Sequence, residues 1–353
     1  MKCAVLALFA ALALEAQWLN YPAPGVPRLA SGKPNLTAPA PRASDGQPDL
    51  SGVWTRISPV YHVNIAADLN PEEIQPWARE LVEQRKENLG SDAMTALCLP
   101  MGPAYTTYAD GTDAGMMKIV QTRKLILILN PDLTYRQIFV DGRPLEASPN
   151  PSFMGYSVGH WVEDTLVVES NGFNGRTWLD TSGHPHSEAL RMTERYRRRD
   201  FGHLDIEVTL DDPSVYARPW TVKVGAEITD TEMLEFVCNE NDGEREHWVG
   251  KASDVAKFEV KVAPEILARY VGTFVEQPKL WSLRPRVVTI TLADGVLYGE
   301  ITGKGKERQY ARSNTSFSGF AGWALQFVPD DRGEANELIV SHVSGDYRFE
   351  RQK

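Results

Sequence analysis

Four of the seven histidines, His160, His184, His186 and His203, fall within residues 155–210. Imidazole is the side chain best placed to move protons near neutral pH. The same stretch carries Tyr156, Asp180 and an unexpected carboxylate, Glu194. When ALRMTERYRRR is read as a strand, Leu190, Met192, Glu194 and Tyr196 share one face; Arg191, Thr193, Arg195 and Arg197 share the other. The partner LDIEVTL, reached across the turn Asp200–His203, puts Leu204, Ile206, Val208 and Leu210 on one face. Two apolar faces can then line one interior, with Glu194 pointing into it. Carboxylates are rarely buried without a partner, so Glu194 marks a candidate site.

Apolar surroundings raise a carboxyl's pKa towards that of histidine, and such a pair can donate and accept protons at working pH. Glu194 is therefore the expected interior acid or base, with His184 or His186 as its partner. Asp180 is expected to orient a histidine, and Tyr156 to act as an electrophilic hydrogen-bond donor. In GYSVGHW, Tyr156, Val158 and His160 alternate onto one face, predicted to meet the same interior. Trp161, Trp178, Phe173 and His160 are candidate substrate contacts, and Arg176 a holder of an anionic group. This chemistry suits a lyase, hydratase or cyclase acting on a small molecule without a cofactor or metal.

Three alternatives stay open. Glu194 can instead pair with an arginine or tyrosine in a structural network, leaving the histidines on a surface loop. His184-Pro185-His186 places two imidazoles two residues apart; with Asp180, Glu188, Glu194 or His203 it would suit zinc and a metal-dependent hydrolase. The barrel can also be a non-catalytic carrier of an apolar or sugar-like ligand. Nucleotide-binding glycine motifs and HExxH are absent. Ser157 lies inside a strand pattern rather than at a nucleophile elbow.

The 353 residues are long enough for two domains, and the net charge of −10 without a long basic run argues against nucleic acid. Residues 1–16 read as a signal peptide, with Lys2 before the apolar run CAVLALFAALAL and cleavage near Ala16. That run is too short to span a bilayer, and the expected location is periplasmic or extracellular. Export would leave two cysteines, Cys98 and Cys238, and an even count in an oxidising compartment favours a disulfide.

The elements that must position these residues are mostly strands. Residues 17–47 are a Pro- and Ser-rich extended lead-in. PDLSGVW starts a barrel, with Trp54 as a plug. NPEEIQPWARELVEQRKENLG is the one long helix: Asn70 caps, Pro71 is first, Ile74, Trp77, Ala78 and Leu81 form the apolar stripe, and Gly90 stops it. From 116 to 240 the predicted strands are MKIVQTRKLILIL, LTYRQIFVDG, GYSVGHW, TLVVES, the 189–210 hairpin, PWTVKVGAEI and EMLEFVC. The expected fold is all-β: a calycin/lipocalin-like antiparallel barrel over 48–250 carrying the site, then a smaller lipocalin-like barrel over 264–353.

Resemblance points the same way. PDLSGVW, CLPMGP, RQIFVDGRP, GYSVGHWVEDTLVVES, GFNGRTWLD, PHSEALRMTERYRRRDFGHL and DDPSVYARPW make residues 48–240 resemble a calycin-like family of secreted acidobacterial and proteobacterial proteins. That likeness implies a barrel and brings no activity with it. LARYVGTF, ADGVLYGEI, SFSGF, WALQFVPDDRGEANEL and YRFER resemble the small lipocalin-like domain that follows the catalytic domain of secreted serine beta-lactamase-like hydrolases. Their Ser-x-x-Lys motif is missing, so the likeness implies the barrel without the serine chemistry.

Overall fold

A computed structural model describes residues 25–57, 61, 64–108, 116–233, 235–238, 251, 254–277, 286–301, 306–319, 323–342 and 345–352. The expected signal peptide lies outside the described residues. Two barrels account for most of the described chain. The first is a closed nine-stranded sheet in sequence order: β1 (Gly52–Ile57), β2 (Met116–Gln121), β3 (Leu125–Leu129), β4 (Tyr135–Phe139), β5 (Tyr156–Val162), β6 (Thr165–Asn171), β7 (Arg191–Arg198), β8 (His203–Asp211) and β9 (Trp220–Ile228). Pairing of Trp54 with Ile228 and of Ile57 with Gly225 closes it. Every neighbour is antiparallel except β4 and β5, which run parallel. Closure leaves no edge strand to template aggregation.

Alternation drives the barrel. Along β8, the residues expected to face inward, Leu204, Ile206, Val208 and Leu210, are all buried. Trp54 is fully buried as expected, and its indole N–H donates to the Leu50 carbonyl at 2.9 Å. The 189–210 hairpin forms in the register read from its pattern, Glu194 opposite Val208 and Tyr196 opposite Ile206. MKIVQTRKLILIL, read as one strand, is two, because Thr122 turns the chain by accepting the Leu125 N–H at 3.1 Å. EMLEFVC is not a strand in its described part, and Phe236 there is exposed.

The long helix is shorter than expected. Asn70 precedes a single 3-10 turn, Pro71–Glu73, where the Glu73 carboxylate reaches back to accept the Asn70 N–H at 2.8 Å. Ile74 is then extended and bridges Tyr216, so the helix α1 (Pro76–Glu87) starts afresh with proline at its first position. That shift turns Trp77 outward, about half exposed, while Ala78 is buried. A short helix α2 (Gly102–Tyr108) follows. Cys98 and Cys238 are bonded, as their count favoured, with Cα atoms 5.6 Å apart.

The two ends of the barrel differ. At one end the strands turn tightly, at 122–124, 163–164 and 199–202. There the lead-in is docked: Leu36 and Ala38 carbonyls accept the N–H groups of Gly202 and Phe201, both at 2.7 Å. At the other end lie the long connections: that between β1 and β2, described over 61 and 64–108, then 172–190 between β6 and β7, and 212–219 between β8 and β9. They bring Ile65, Ala78, Leu179, Val215 and Tyr216 onto the barrel core.

The second barrel is a nearly closed nine-stranded antiparallel sheet, preceded by two short helices, α3 (Asp254–Lys257) and α4 (Pro264–Ala268). Its strands are β10 (Gly272–Glu276), β11 (Val287–Ala293), β12 (Val296–Ile301), β13 (Glu307–Arg308), β14 (Tyr310–Ala311), β15 (Ser316–Gly319), β16 (Trp323–Pro329), β17 (Ala335–His342) and β18 (Gly345–Arg351). Its interior is packed with rings: Tyr270 stacks on Phe327 at 4.2 Å, and Phe317 meets both edge-on.

Candidate functional site

Inside the first barrel, Glu194 is fully buried, and its partner is Arg136 on β4. Arg136 Nη1 donates to Glu194 Oε1 at 2.9 Å and Nη2 to Oε2, a two-pronged pair. The Tyr196 hydroxyl donates to Oε1 at 2.8 Å. Ser157 and Ser170 accept two further guanidinium N–H groups at 3.1 and 2.8 Å and bond each other at 2.9 Å. Burial pushes the Glu194 carboxyl up from its ordinary value, with the Tyr196 hydroxyl pulling the other way. Burial lowers the Arg136 guanidinium. Each of these partners offers Glu194 a donor, so the arrangement is built around the carboxylate. Pairing with an arginine and a tyrosine is the arrangement that the structural alternative expected of Glu194.

The phase of β5 is also the reverse of the expected one. Ser157 points inward to Arg136, and Trp161 packs on the core. Tyr156 and His160 are therefore outward: Tyr156 lies half-buried against the Phe139 ring at 5.7 Å, and His160 is exposed. A one-residue change of phase moves every side chain to the other face, and the need to satisfy Arg136 sets it here. Ser157 has glycines two residues either side, the spacing of a serine elbow, yet it lies buried within β5 and bonds no histidine.

The remaining predicted residues do meet, in the 172–190 connection at the long-loop end. Trp178 and Pro185 bridge, closing a loop in which Asp180 Oδ2 accepts His184 Nδ1–H at 2.7 Å. The Asp180 carboxylate is fully buried and also accepts the Ile65 N–H at 2.9 Å and the His184 N–H at 3.2 Å. This fixes the tautomer of His184 and leaves Nε2 as an acceptor, without a hydrogen bond to the described residues. Asp180 thus orients a histidine as expected.

His186 is engaged differently. Nδ1–H donates to the Ser187 carbonyl at 2.9 Å, so Nε2 accepts the Thr177 hydroxyl at 2.6 Å. Burial lowers its pKa, partly opposed by its bond to the Ser187 carbonyl. Phe173 is buried edge-on against this ring at 6.0 Å. Asp212 accepts the Ser187 hydroxyl at 2.8 Å, and the Tyr216 hydroxyl donates to the Pro185 carbonyl at 2.8 Å. Trp178 is buried beneath Arg85, 4.7 Å from its ring, whereas Arg176 is exposed above Phe153. His203 sits at the opposite end, bonded to Asp200 at 2.7 Å. Among the described residues no three His, Cys, Asp or Glu side chains converge as a metal site.

A pocket of about 330 Å³ opens at the same long-loop end, beside the disulfide. Met94, Leu99, Met101 and Phe236 are among its apolar lining, and Arg56 and Asn130 among its polar members. Its neighbour is the Trp178 loop, whose Trp178 N–H donates to the Met94 sulfur at 3.2 Å. None of the five predicted substrate contacts, Trp161, Trp178, Arg176, His160 and Phe173, borders it. The sequence reading missed these lining residues. Their signals are the apolar, proline-containing CLPMGP, which begins with Cys98, and the Asn130-Pro131-Asp132 turn, which the sequence pattern marks as a connection between strands.

The chain matches no protein-family model, and comparison with curated proteins finds no match. Among the described residues no helix is long and apolar enough to cross a membrane.

Proposed function

We propose that the protein is an exported carrier or sensor of a small, mainly apolar molecule, bound beside the Cys98–Cys238 disulfide. The observation that carries this reading is the pocket itself: its volume and its apolar wall with a few polar groups are those of small-molecule sites. It lies among the long connections, where a rigid barrel presents variable loops. Glu194, the residue on which interior chemistry would have depended, has its oxygens taken up by Arg136 and Tyr196. Export is supported by the disulfide, since such bonds persist in oxidising compartments.

Titration with the neutral fluorophore N-phenyl-1-naphthylamine tests the reading. Saturable binding is expected in the wild type and in Glu194→Gln, and loss in Leu99→Trp, which fills the pocket from a half-buried position. No saturable binding, or binding untouched by Leu99→Trp, refutes it.

A second reading is favoured by the Asp180–His184 pair. Its preset tautomer is that of a general base, and it would serve a cofactor-independent lyase, hydratase or cyclase acting at His184 Nε2. Turnover in a small-molecule screen that disappears in His184→Gln and persists in Glu194→Gln is the expected result. Turnover surviving His184→Gln rules it out.

A further inference from the structure

At the tight-turn end, a second cavity of about 390 Å³ lies between the lead-in and the end of β7. Its lead-in wall belongs to the second of two copies of a short motif. PRLASGKPNL (27–36) and PRASDGQPDL (41–50) share Pro-Arg, a glycine four residues after the arginine, a second proline and a final leucine. Both fold alike. Leu29 N–H donates to the Lys33 carbonyl and Ala43 N–H to the Gln47 carbonyl, each at 2.9 Å. Arg28 Nη1 donates to the Gly32 carbonyl at 3.0 Å, and Arg42 Nη1 to that of Gly46 at 2.9 Å. Each arginine also reaches an aspartate outside the lead-in at 2.9 Å, Asp230 for Arg28 and Asp164 for Arg42. Clipping the lead-in to the barrel needs no more than this pair.

The second copy carries more. Arg42 and Asp164 share the cavity wall with Arg197, Arg198 and Arg199, and Pro39, Pro41 and Pro48 make its lead-in side rigid. Four arginines stand against one aspartate, in a protein whose net charge is −10. Arg42 is taken up by Asp164, and Arg199 by Asp205 at 3.1 Å. Arg198 is buried, and its donors serve the carbonyls of Asp49, Ser51, Asp200 and Phe201, all neutral acceptors. Burial lowers its pKa to about 10 against the pull of Asp49 and Asp200, so it remains charged. Arg197 is exposed, and it has neither a hydrogen bond nor an ion pair to the described residues. Like charges gathered in one cavity repel each other, and a cleft walled by one sign concentrates ions of the other. We propose that this cavity binds a small doubly charged oxyanion, a phosphate dianion either free or esterified, with Arg197 supplying the free guanidinium. The planar fork of that group matches a phosphate. Arg42 and Arg199 add charge beside it, and Arg198 adds its field from below the surface. The site is separate from the apolar pocket and does not depend on it.

Calorimetric titration of the full chain with phenyl phosphate, inorganic phosphate and benzoate tests the proposal. It is run at about 0.15 M salt, where the screening length is roughly 8 Å and diffuse surface attraction is damped. Saturable binding of phenyl phosphate is expected, about tenfold tighter than that of benzoate, which offers the same ring and a single charge. Arg197→Gln, at an exposed position with no bond to lose, is expected to weaken phenyl phosphate about tenfold, the worth of one charge-assisted hydrogen bond. Arg195→Gln, at an exposed position on the same strand that does not line the cavity, is expected to leave binding unchanged. Inorganic phosphate bound as tightly as phenyl phosphate supports the site with the free ion as its ligand; tighter phenyl phosphate supports it with an ester. Absence of saturable binding by either phosphate overturns the proposal, as does benzoate bound as tightly as phenyl phosphate. Phenyl phosphate binding untouched by Arg197→Gln, or weakened equally by Arg195→Gln, overturns it too.

Discussion

Replacing Arg136 with methionine should strand Glu194. The methionine fills most of the space of the arginine stem, so the main change is electrostatic. Glu194 keeps the Tyr196 hydroxyl as a donor and loses both guanidinium bonds. A carboxylate at zero exposure that has lost its cationic partner does not stay charged; it takes up a proton. In the wild type the two guanidinium bonds hold Glu194 as the carboxylate against the upward push of burial; once they are gone, holding a carboxyl of ordinary value 4.5 protonated at pH 7 costs about 2.5 pH units, or ~3.4 kcal/mol at ~1.36 kcal/mol per unit. That agrees with the ~3–5 kcal/mol generally lost when one member of a buried pair is removed.

The proton route makes the loss pH-dependent. The deficit of Arg136→Met against wild type should shrink to ~1.4 kcal/mol at pH 5.5, by the same ~1.36 kcal/mol per unit. Adding Glu194→Leu removes the stranded acid and with it the acceptor of the 2.8 Å bond from the Tyr196 hydroxyl, a cost of ~1–3 kcal/mol. Ser157 and Ser170 still bond each other. Adding Tyr196→Phe should then return the barrel close to wild-type stability, because a buried ion pair replaced by apolar groups is often neutral. Urea unfolding followed by tryptophan fluorescence reads this, using the transition that reports Trp54 and Trp220 in the first barrel. A deficit under ~1 kcal/mol at pH 7, or one that does not change between pH 7 and 5.5, would refute the account. A triple variant as unstable as the single would do so too.

His186 gives an acid-side dependence of opposite sign. Burial lowers its folded pKa below the unfolded value, so its contribution is complete above about 6.5 and is lost as pH falls through the folded pKa. His186→Gln should flatten the wild-type decline in melting temperature below about 6.5, and an unchanged decline would count against this. Breaking the Cys98–Cys238 bond opens a loop with a sequence separation of 140. Cys98→Ser/Cys238→Ser should therefore cost ~2–5 kcal/mol in urea unfolding and abolish N-phenyl-1-naphthylamine binding, since both cysteines line the pocket. Intact binding in that folded variant would separate pocket from disulfide. Gly155 has φ +67°, and an added Cβ would fall 2.5 Å from the Phe173 ring and 2.8 Å from the Asn171 carbonyl. Gly155→Ala should cost ~1–3 kcal/mol by overpacking; a neutral result in thermal melts would show that Phe173 moves aside freely.

The barrel was legible because its strands alternate. Leu204 to Leu210 and Leu190 to Tyr196 carry a period of two, and Gly, Asp and Pro mark the turns between strands, so fold class and the Glu194–Val208 register follow from local pattern. Buried Glu194 was legible as an anomaly, but its partner was not. Arg136 lies 58 residues away on β4, and one arginine in TYRQIFVDG reads like any strand-surface charge. GYSVGHW misled for the same reason: small Ser157 and Gly159 do not look like interior residues. Only the guanidinium and the close approach of Ile138 to Gly159 explain them. The helix start failed differently, because Asn70 and Pro71 do begin a turn, and the bridge from Ile74 to Tyr216 ends it.

The Asp180–His184 contact is local, four residues apart, and so sequence could suggest it. The pocket is not local. It assembles from β1, the 94–106 segment, the β3–β4 turn and residues 236–238, joined by a disulfide across the chain. No window of sequence contains that set. What directs attention to it is topology. In this barrel β1 ends, β2 begins, β3 turns into β4 and β6 leaves for β7 at one end, while the other end is closed by tight turns and the docked lead-in. Long connections are tolerated where they do not break the sheet's pairing, and a binding surface is built from such connections. The Asp180–His184 pair and the pocket therefore stand as two candidate centres at one end of the molecule. The Glu194–Arg136 pair inside the barrel belongs to the frame that holds them.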